Sequence, residues 1–440
     1  MYCRLFSLIT PHPSRFILTI LFLMIFVSPV KPANNNTDYF LHGDFVEKNN
    51  IKTVLFSQKD FALSDPLIRL NSGDKLMLRF DDLDADYKNY YYTIIHCNAY
   101  WEPSDLNQHE YIEGFYEDQI RDYQRSVNTR VPYTHYWLEF PNSNLRPSKS
   151  GNYILKVFLD GNSDDVVLTR RFSVFEQQVN ISGHVQQARI VQHRDTRQQL
   201  SFTVKMNGYR IPNPYRELKL VITQNGRWDN AITGLEPRTI QGNQLIYDQD
   251  AEILFNGGNE FRHFDIRSLR YLSGQVQDIQ SSRRNWDVYL MPDEPRTFER
   301  HVTDQGLKGR FQVITQDARN DMLESDYTWV HFHLPMDNPL PEGFLYVMGQ
   351  LTDWQFTEEN KMNYNYGENA YELSLLLKQG YYNYLYAYLP EEDATADLSR
   401  IEGNHSVTEN DYTIYVYHRQ PGDLYDRLIG VSHMSSSIPR

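Results

Sequence analysis

Residues 86–141 read DYKNYYYTIIHCNAYWEPSDLNQHEYIEGFYEDQIRDYQRSVNTRVPYTHYWLEFP, and this stretch decides the fold. It opens with an aromatic and β-branched run, residues 90–95, which predicts a β-strand. It closes with residues 133–140, where Thr134, Tyr136, Leu138 and Phe140 lie on one face of a second predicted strand. The stretch is therefore predicted to be two strands joined by an insert.

The insert mixes aromatic, charged and polar side chains over roughly 35 residues, with no helical or strand period. Loops of this length are uncommon inside compact domains and are usually functional. Tyr and Trp bury a large area with few rotatable bonds, which suits them to protein interfaces. We therefore predict a partner-binding surface, the alternative being a loop that packs on itself. The candidate contact residues are Tyr100, Trp101, Tyr111, Phe115, Tyr116 and Tyr123.

The rest of the chain repeats one pattern, in which short alternating segments are separated by turns rich in Gly, Asn, Asp and Pro. Residues 75–80, 153–159 and 166–175 are examples, each long enough for one strand. Strands at this spacing are typical of antiparallel sandwiches. The sequence therefore predicts an all-β protein of about three consecutive immunoglobulin-like or early-set β-sandwich domains, which follow a signal peptide.

The predicted domain boundaries lie where turn-forming residues interrupt this pattern. We expect a signal peptide at 1–33, an N-terminal sandwich with the insert at 34–176, a second sandwich at 177–305, a C-terminal early-set-like sandwich at 306–422 and a tail at 423–440.

The N-terminus has the features of an export signal. Arg4 and Arg15 supply positive charge, and the apolar run at residues 16–27 is shorter than the roughly 20 residues that a membrane-spanning helix needs. The alternative is an uncleaved anchor. Export by a cleaved signal predicts a periplasmic protein.

The net charge limits which classes of partner the protein can bind. The net charge of −14 disfavours binding to nucleic acid or to an anionic lipid surface.

Cys3 lies in the predicted leader, so Cys97 is left without an internal disulfide partner. We expect Cys97 to behave as a small buried hydrophobic residue.

Two histidine patterns could indicate a metal site. His109 and Glu110 begin like the zinc-binding His-Glu-x-x-His motif, but Glu113 stands where the second histidine belongs. His331 and His333 share one face of a predicted strand, a spacing that metals use, without a third ligand nearby. We predict that neither pattern binds a metal.

The acidic segment 82–86 resembles the start of a calcium-binding EF-hand loop. Tyr87 occupies the position of the required glycine, and Thr93 replaces the bidentate glutamate.

Glycine-rich phosphate loops and the Gly-x-Ser-x-Gly nucleophile motif are absent from the sequence. The sequence therefore predicts a binding protein without cofactors, a small-molecule substrate or enzyme activity.

Three segments resemble a known family. They are HCNAYWEPSDLNQHEYIEGFYEDQIRDYQRSVNT at 96–129, YTHYWLEFPN at 133–142 and SGNYILKVF at 150–158. Together they resemble the plug protein of the Bacteroidetes type IX secretion system. The resemblance implies a periplasmic plug that binds the outer-membrane translocon barrel and occludes its periplasmic opening when no cargo passes. It also implies a part in protein secretion and, in some hosts, in gliding motility.

A second resemblance, to glycogen-binding early-set modules, rests on the predicted third domain. There Val-Met-Gly at 347–349 is followed by Trp354 and a tyrosine-rich strand. This similarity implies an alternative function, carbohydrate binding at the cell surface or in the periplasm. Its stacking residues would be Trp354, Tyr381, Tyr382, Tyr384, Tyr386 and Tyr388.

Overall fold

A computed structural model describes residues 43–304, 306–391 and 395–436. The all-β prediction is confirmed, since 48% of the chain lies in strands and 6% in helices. The α-helices of the described residues are single turns: α1 (Gln108–Tyr111), α2 (Pro214–Glu217), α3 (Asp321–Glu324) and α4 (Ser399–Glu402). None of these helices is long and apolar enough to cross a membrane. The predicted signal peptide lies outside the described residues.

The first sandwich is built from the first twelve strands of the described chain. These are β1 (Phe45–Val46), β2 (Ile51–Gln58), β3 (Leu67–Arg69), β4 (Leu76–Asp82), β5 (Tyr90–Cys97), β6 (Ile112–Gly114), β7 (Asp118–Gln119), β8 (Asp122–Arg125), β9 (Thr134–Phe140), β10 (Leu145–Pro147), β11 (Gly151–Leu159) and β12 (Val166–Phe175). One sheet has the order β1-β12-β11-β5-β7, with β3 beside β12; the other has the order β2-β4-β9-β8.

Aromatic residues fill the core of this sandwich. Tyr90 and Tyr92 alternate with half-buried Tyr91 along β5, as the strand period requires. The Phe80 ring stacks on Tyr136 at a centroid distance of 5.3 Å and meets Tyr90 edge-on at 5.1 Å. The strand predictions at both ends of the decisive stretch are therefore confirmed.

The second sandwich begins with seven strands: β13 (Val179–Gln187), β14 (Arg197–Met206), β15 (Leu218–Gln224), β16 (Arg227–Thr233), β17 (Thr239–Gln241), β18 (Gln244–Tyr247) and β19 (Leu254–Asn256). The third sandwich follows with β20 (Arg262–Asp265), β21 (Val276–Ser281), β22 (Trp286–Leu290), β23 (Phe311–Val313), β24 (Tyr327–Pro335), β25 (Gly343–Met348), β26 (Asn363–Asn365), β27 (Ala370–Lys378) and β28 (Gly380–Pro390). Its sheets have the orders β20-β28-β23, with β25 also on β28, and β21-β22-β24-β27-β26.

The chain then returns to the second sandwich with its last strands, β29 (Asp411–His418) and β30 (Arg427–Ser435). They complete the sheet β16-β15-β29-β30, which faces the sheet β13-β14-β18-β17. The core of the second sandwich accordingly combines Leu220 and Ile222 of β15 with Ile414 and Val416 of β29.

This topology corrects the predicted boundaries after residue 176. Residues 262–290 were expected in the second domain, but β20 pairs β28 and β22 pairs β24 of the third. Residues 423–440 were expected to be a tail, but β30 pairs β29 along its length. Local sequence patterns indicate where strands lie, but which strands pair depends on contacts between distant segments. The sequence therefore predicted the strands and not the sandwich to which each one belongs.

Buried polar contacts join the sandwiches. Asp81 of the first accepts hydrogen bonds from Lys378 and Tyr327 of the third, both at 2.7 Å. Tyr417 of the second donates to Asn152 Oδ1 of the first at 2.9 Å. Buried hydrogen bonds have fixed partners and geometry, so these contacts hold the sandwiches in one arrangement.

Candidate partner-binding surface

The insert is residues 98–133, between β5 and β9. Its first regular element is α1, where the Glu110 carboxylate accepts a hydrogen bond from the Asn107 N–H at 2.8 Å. This bond lowers the pKa of Glu110. Glu110 thus caps α1, which gives this residue of the incomplete zinc-binding motif a structural role.

Short strands then fix the insert to the sandwich. β6 pairs β10, β7 pairs β5 and β8 pairs β9, so both sheets hold it. Gly114 is required where β6 ends: its φ is +105°, and a Cβ there would lie 2.1 Å from the Asn144 carbonyl oxygen. The insert was expected to lack regular structure, but these pairings give it a defined path.

A buried carboxylate holds the turn between β7 and β8. Asp118 accepts hydrogen bonds from both Arg121 terminal nitrogens, at 2.6 and 3.2 Å, and from Asn144 Nδ2 at 2.8 Å. Burial alone would raise the pKa of Asp118, but the bonds from Arg121 and Asn144 outweigh it and lower the pKa. The carboxylate therefore stays charged at neutral pH and ties the insert to the β9–β10 connection.

Three predicted contact residues lie exposed on this framework. Phe115 is 65% exposed, and Tyr116 and Tyr123 are about half exposed. The Tyr116 carbonyl accepts a hydrogen bond from Thr93 of β5 at 2.6 Å, which fixes the backbone that carries both Phe115 and Tyr116. These side chains can contact a partner without reorganisation of the fold.

Tyr87 joins this surface and was not predicted. Its ring lies 4.8 Å from that of Tyr123, which in turn stacks on buried Tyr136 at 5.6 Å. Tyr87 belongs to the same tyrosine-rich stretch but precedes β5, outside the insert, and for that reason the sequence argument missed it. We call Tyr87, Phe115, Tyr116 and Tyr123 the insert surface.

Two predicted contact residues are buried, and their assignment was wrong. Trp101 is 4% exposed and packs edge-to-face on Trp228 of β16 at 4.9 Å. Tyr111 is 5% exposed and belongs to the core of the first sandwich. The insert has no period that distinguishes inward from outward positions, so the sequence could not separate these residues from the exposed ones.

Trp101 has an unusual local structure. Its φ is +69°, a strained value for a bulky residue, and Arg171 lies 4.9 Å above its ring. Trp101, Trp228 and Tyr415 contribute to the wall of a cavity of about 110 Å³, which residues of the third sandwich such as Trp354 also line. Trp101 therefore holds the first sandwich against the second.

Tyr100 is exposed but lies apart from the insert surface. It follows the far end of β5, where its ring stacks under Lys219 of the second sandwich at 5.3 Å. Tyr87 precedes the near end of the same strand. A strand of eight residues separates the two tyrosines, or roughly 26 Å.

The alternative carbohydrate surface does not form. Tyr382, Tyr384, Tyr386 and Tyr388 are buried in the third sandwich. Trp354 packs edge-to-face against Phe261 at 6.1 Å. A sugar ring cannot stack on buried side chains, so this arrangement removes most of the predicted stacking face.

The other motifs have structural partners. His331 stacks on Tyr289 at 4.4 Å and bonds Asp287 at 3.0 Å. Asp82, in the segment that resembles an EF-hand, is fully buried and accepts hydrogen bonds from Asn50 and Tyr90. Across the described residues, no group of three or more His, Cys, Asp or Glu side chains could hold a metal ion.

Cys97 is a free, buried thiol, as predicted. Burial raises its pKa to about 12. A thiol with that pKa is protonated at neutral pH and is a poor nucleophile. Cys97 therefore packs in the core and does not supply a reactive site.

Comparison with known proteins gives one family match and one similar solved structure that bear on this chain. Residues 51–176 match the family model for the type 9 secretion system plug protein 1st domain. A hypothetical protein from Parabacteroides merdae ATCC 43184, known from a crystal structure, is similar over 90% of this chain and 99% of its own, with 36% identity and a TM-score of 0.87. A protein from Corynebacterium diphtheriae aligns over 88% of this chain and 92% of its own at 9% identity, but its TM-score of 0.13 supports no conclusion. Curated proteins give no match.

Proposed function

Because the chain belongs to the type IX secretion system plug family, we propose that it binds the periplasmic opening of that system's outer-membrane translocon barrel and closes it. A role related to type IX secretion follows from the family itself. Closure of the barrel, residence in the periplasm and the barrel as partner are our proposal.

The insert surface is the observation that supports this proposal. Its four aromatic residues are presented within the segment that matches the family model. Exposed aromatic side chains on a fixed backbone lose little entropy on binding, because their positions are set before the partner arrives. This preorganisation suits a protein that must fit a fixed opening.

A plug must also resist deformation. Among the contacts that join the sandwiches, Arg170 of the first bonds both carboxylate oxygens of Asp353 of the third, at 3.0 and 2.9 Å. Lys219 of the second sandwich donates to the Asp426 carboxylate. The same carboxylate accepts a hydrogen bond from the Ala99 N–H of the first sandwich. Such links oppose hinge motion between sandwiches and favour a rigid body.

The proposed binding is reversible. The insert surface is a small number of aromatic side chains, and interface affinity depends on a few such anchors. Cargo must displace the plug, so a modest affinity suits the function. The proposed role is non-catalytic, so displacement would come from competition with cargo or from a change in the barrel.

The test is a conductance measurement on the purified barrel in a planar lipid bilayer. Addition of the full mature chain should reduce the conductance of the open barrel. The double variant Phe115→Ser with Tyr116→Ser should require at least about tenfold more protein for the same block. Tyr366→Ser is the matched control, since Tyr366 is a highly exposed tyrosine in another sandwich. A barrel whose conductance is unaffected by the wild-type chain would refute the proposed function.

A further inference from the structure

The connection between β22 and β23, residues 291–310, presents a second exposed aromatic residue. Phe298 lies at its turn and is 99% exposed, so its ring makes almost no contact with its own chain. Loops of this length inside a compact fold are usually functional. A wholly exposed phenylalanine also forgoes the roughly 2–3 kcal/mol that burial of its ring would contribute.

The backbone under Phe298 is fixed on the side that precedes it. The Arg296 N–H donates to the Ile401 carbonyl at 2.6 Å, and the Arg296 guanidinium donates to Glu402, which is fully buried. Thr297 Oγ1 donates to the Arg400 carbonyl at 2.7 Å. Phe298 is therefore held outward by its neighbours.

The side that follows Phe298 is fixed as well. The Glu299 N–H closes the turn on the Arg296 carbonyl at 3.1 Å. The His301 ring bonds the Glu260 carboxylate at 3.1 Å. With both flanks anchored, the exposure of Phe298 is a property of the folded loop rather than of a free chain end.

Two exposed valines lie in the same loop and in the loop next to it. Val302 follows His301, whose ring lies 5.5 Å from that of His405 in the neighbouring loop, and Val407 is exposed in that second loop. The two loops abut, since a Cβ on Gly403 would lie 3.0 Å from the Arg296 carbonyl oxygen. We call Phe298, Val302 and Val407 the Phe298 knob.

The knob and the part of the insert around Arg130 lie toward opposite ends of β22. Arg130 of the insert stacks over Trp286, the first residue of β22, at 3.7 Å. The loop that carries Phe298 leaves the last residue, Leu290. Five strand residues alone span roughly 17 Å, so the knob lies well away from the place where the insert contacts the third sandwich.

We propose that the Phe298 knob is a second contact with the same barrel, inserted into an apolar pocket of its periplasmic rim; this inference rests on the proposed function. A protein that closes a ring-shaped opening is surrounded by the ring, so contact on one side alone would leave the other side unsealed. Two contacts on one rigid body also reinforce each other, because binding at one holds the other in place.

A protein pocket fits the knob better than a lipid surface does. Segments that bind membrane surfaces combine apolar side chains with lysine and arginine, which attract anionic headgroups. Here the two arginines near Phe298, Arg296 and Arg300, are accompanied by Glu294 and Glu299, and Arg296 is paired with buried Glu402. The whole chain has a net charge of −14. A preformed aromatic anchor that fills a pocket is the common form of a strong protein contact.

The experiment measures binding of the full mature chain to the purified barrel in detergent. Phe298→Ser should weaken binding at least about tenfold, and its combination with the Phe115→Ser, Tyr116→Ser pair should weaken it further. Tyr271→Ser, at a tyrosine 75% exposed elsewhere in the third sandwich, is the matched control and should bind as wild type. Phe298→Ser should keep the wild-type melting temperature, because the ring has no intramolecular packing to lose.

The outcomes separate the two proposals. If Phe298→Ser binds as tightly as wild type while the insert variant is weakened, the second contact is refuted and the proposed function stands. If the wild-type chain does not bind the barrel, the proposed function fails and the second contact fails with it. Binding of wild type, but not of Phe298→Ser, to vesicles of phosphatidylethanolamine and phosphatidylglycerol would overturn the protein-pocket assignment in favour of a membrane.

Discussion

Lys378 Nζ lies 2.7 Å from Asp81 Oδ2, and the two side chains, from different sandwiches, are 0% and 1% exposed. Asp81 also accepts hydrogen bonds from His135 Nδ1 at 2.6 Å and from Tyr327. The Lys378 ammonium lies 4.1 Å from the ring centre of Tyr133. This buried ion pair couples the first sandwich to the third.

Loss of the lysine should destabilise the protein strongly. In Lys378→Met, Asp81 remains buried without its cation, which typically costs about 3–5 kcal/mol. Urea unfolding should therefore show a much lower midpoint. The double variant Asp81→Asn with Lys378→Met should recover part of the loss, because no unpaired charge remains. Lys48→Met, which breaks the surface pair with Asp165, is the control and should leave the midpoint nearly unchanged. An unchanged midpoint for Lys378→Met would refute this role.

His96 predicts a pH dependence of stability. Its ring is enclosed by Tyr153 and Tyr425, and burial lowers its pKa from 6.5 to about 4. Protonation then favours the unfolded chain, so stability should be full above pH 6.5 and fall as the pH decreases toward 4. The lowered pKa of His405 adds to the same slope.

Urea unfolding between pH 7 and pH 5 measures this slope. The window lies mostly above the range in which carboxylates titrate, at about pH 4, so histidines dominate the change. His96→Gln should be less stable at pH 7 but should lose less further stability as the pH falls. A slope equal to that of the wild type would show that His96 is not the titrating group.

Trp101 and Tyr116 should respond in opposite ways to substitution. Trp101→Ala removes a buried ring from the contact between two sandwiches and should lower the free energy of unfolding by about 3–5 kcal/mol. Tyr116→Ala removes a half-exposed ring and should leave stability nearly unchanged while it weakens partner binding. Measurements of thermal unfolding and of partner binding on both variants test these two expectations. Wild-type stability of Trp101→Ala together with weakened partner binding would restore Trp101 as a contact residue.

Gly114 tests whether the path of the insert matters. Gly114→Ala places a Cβ against the Asn144 carbonyl and should displace the insert surface, with weaker partner binding. Gly161→Ala is matched for backbone strain, since φ is +71°, but its Cβ meets no atom within 4 Å. The control should lose only about 1 kcal/mol of stability and bind normally. Equal binding by both variants would contradict the prediction.

The sequence predicted what depends on local pattern. The aromatic and β-branched run at 90–95 predicted β5, and Cys97 at the end of that strand was correctly expected to be buried. It did not predict that Trp101 packs on Trp228, because that contact joins two sandwiches and needs a positive φ at a bulky residue. The insert surface was predicted in part, since exposure within the insert follows from the pairing of β6, β7 and β8.

The pairing of β15 with β29 joins residues roughly 200 positions apart in the chain. A chain made from its N-terminus therefore completes the first sandwich early, while the second waits for its final segment. Until then the edge of β15 lacks its partner, and unpaired edges are templates for aggregation. The nascent protein thus needs protection from self-association until its last strands emerge, and any truncation that removes the C-terminal residues from 411 onward leaves that vulnerability permanent.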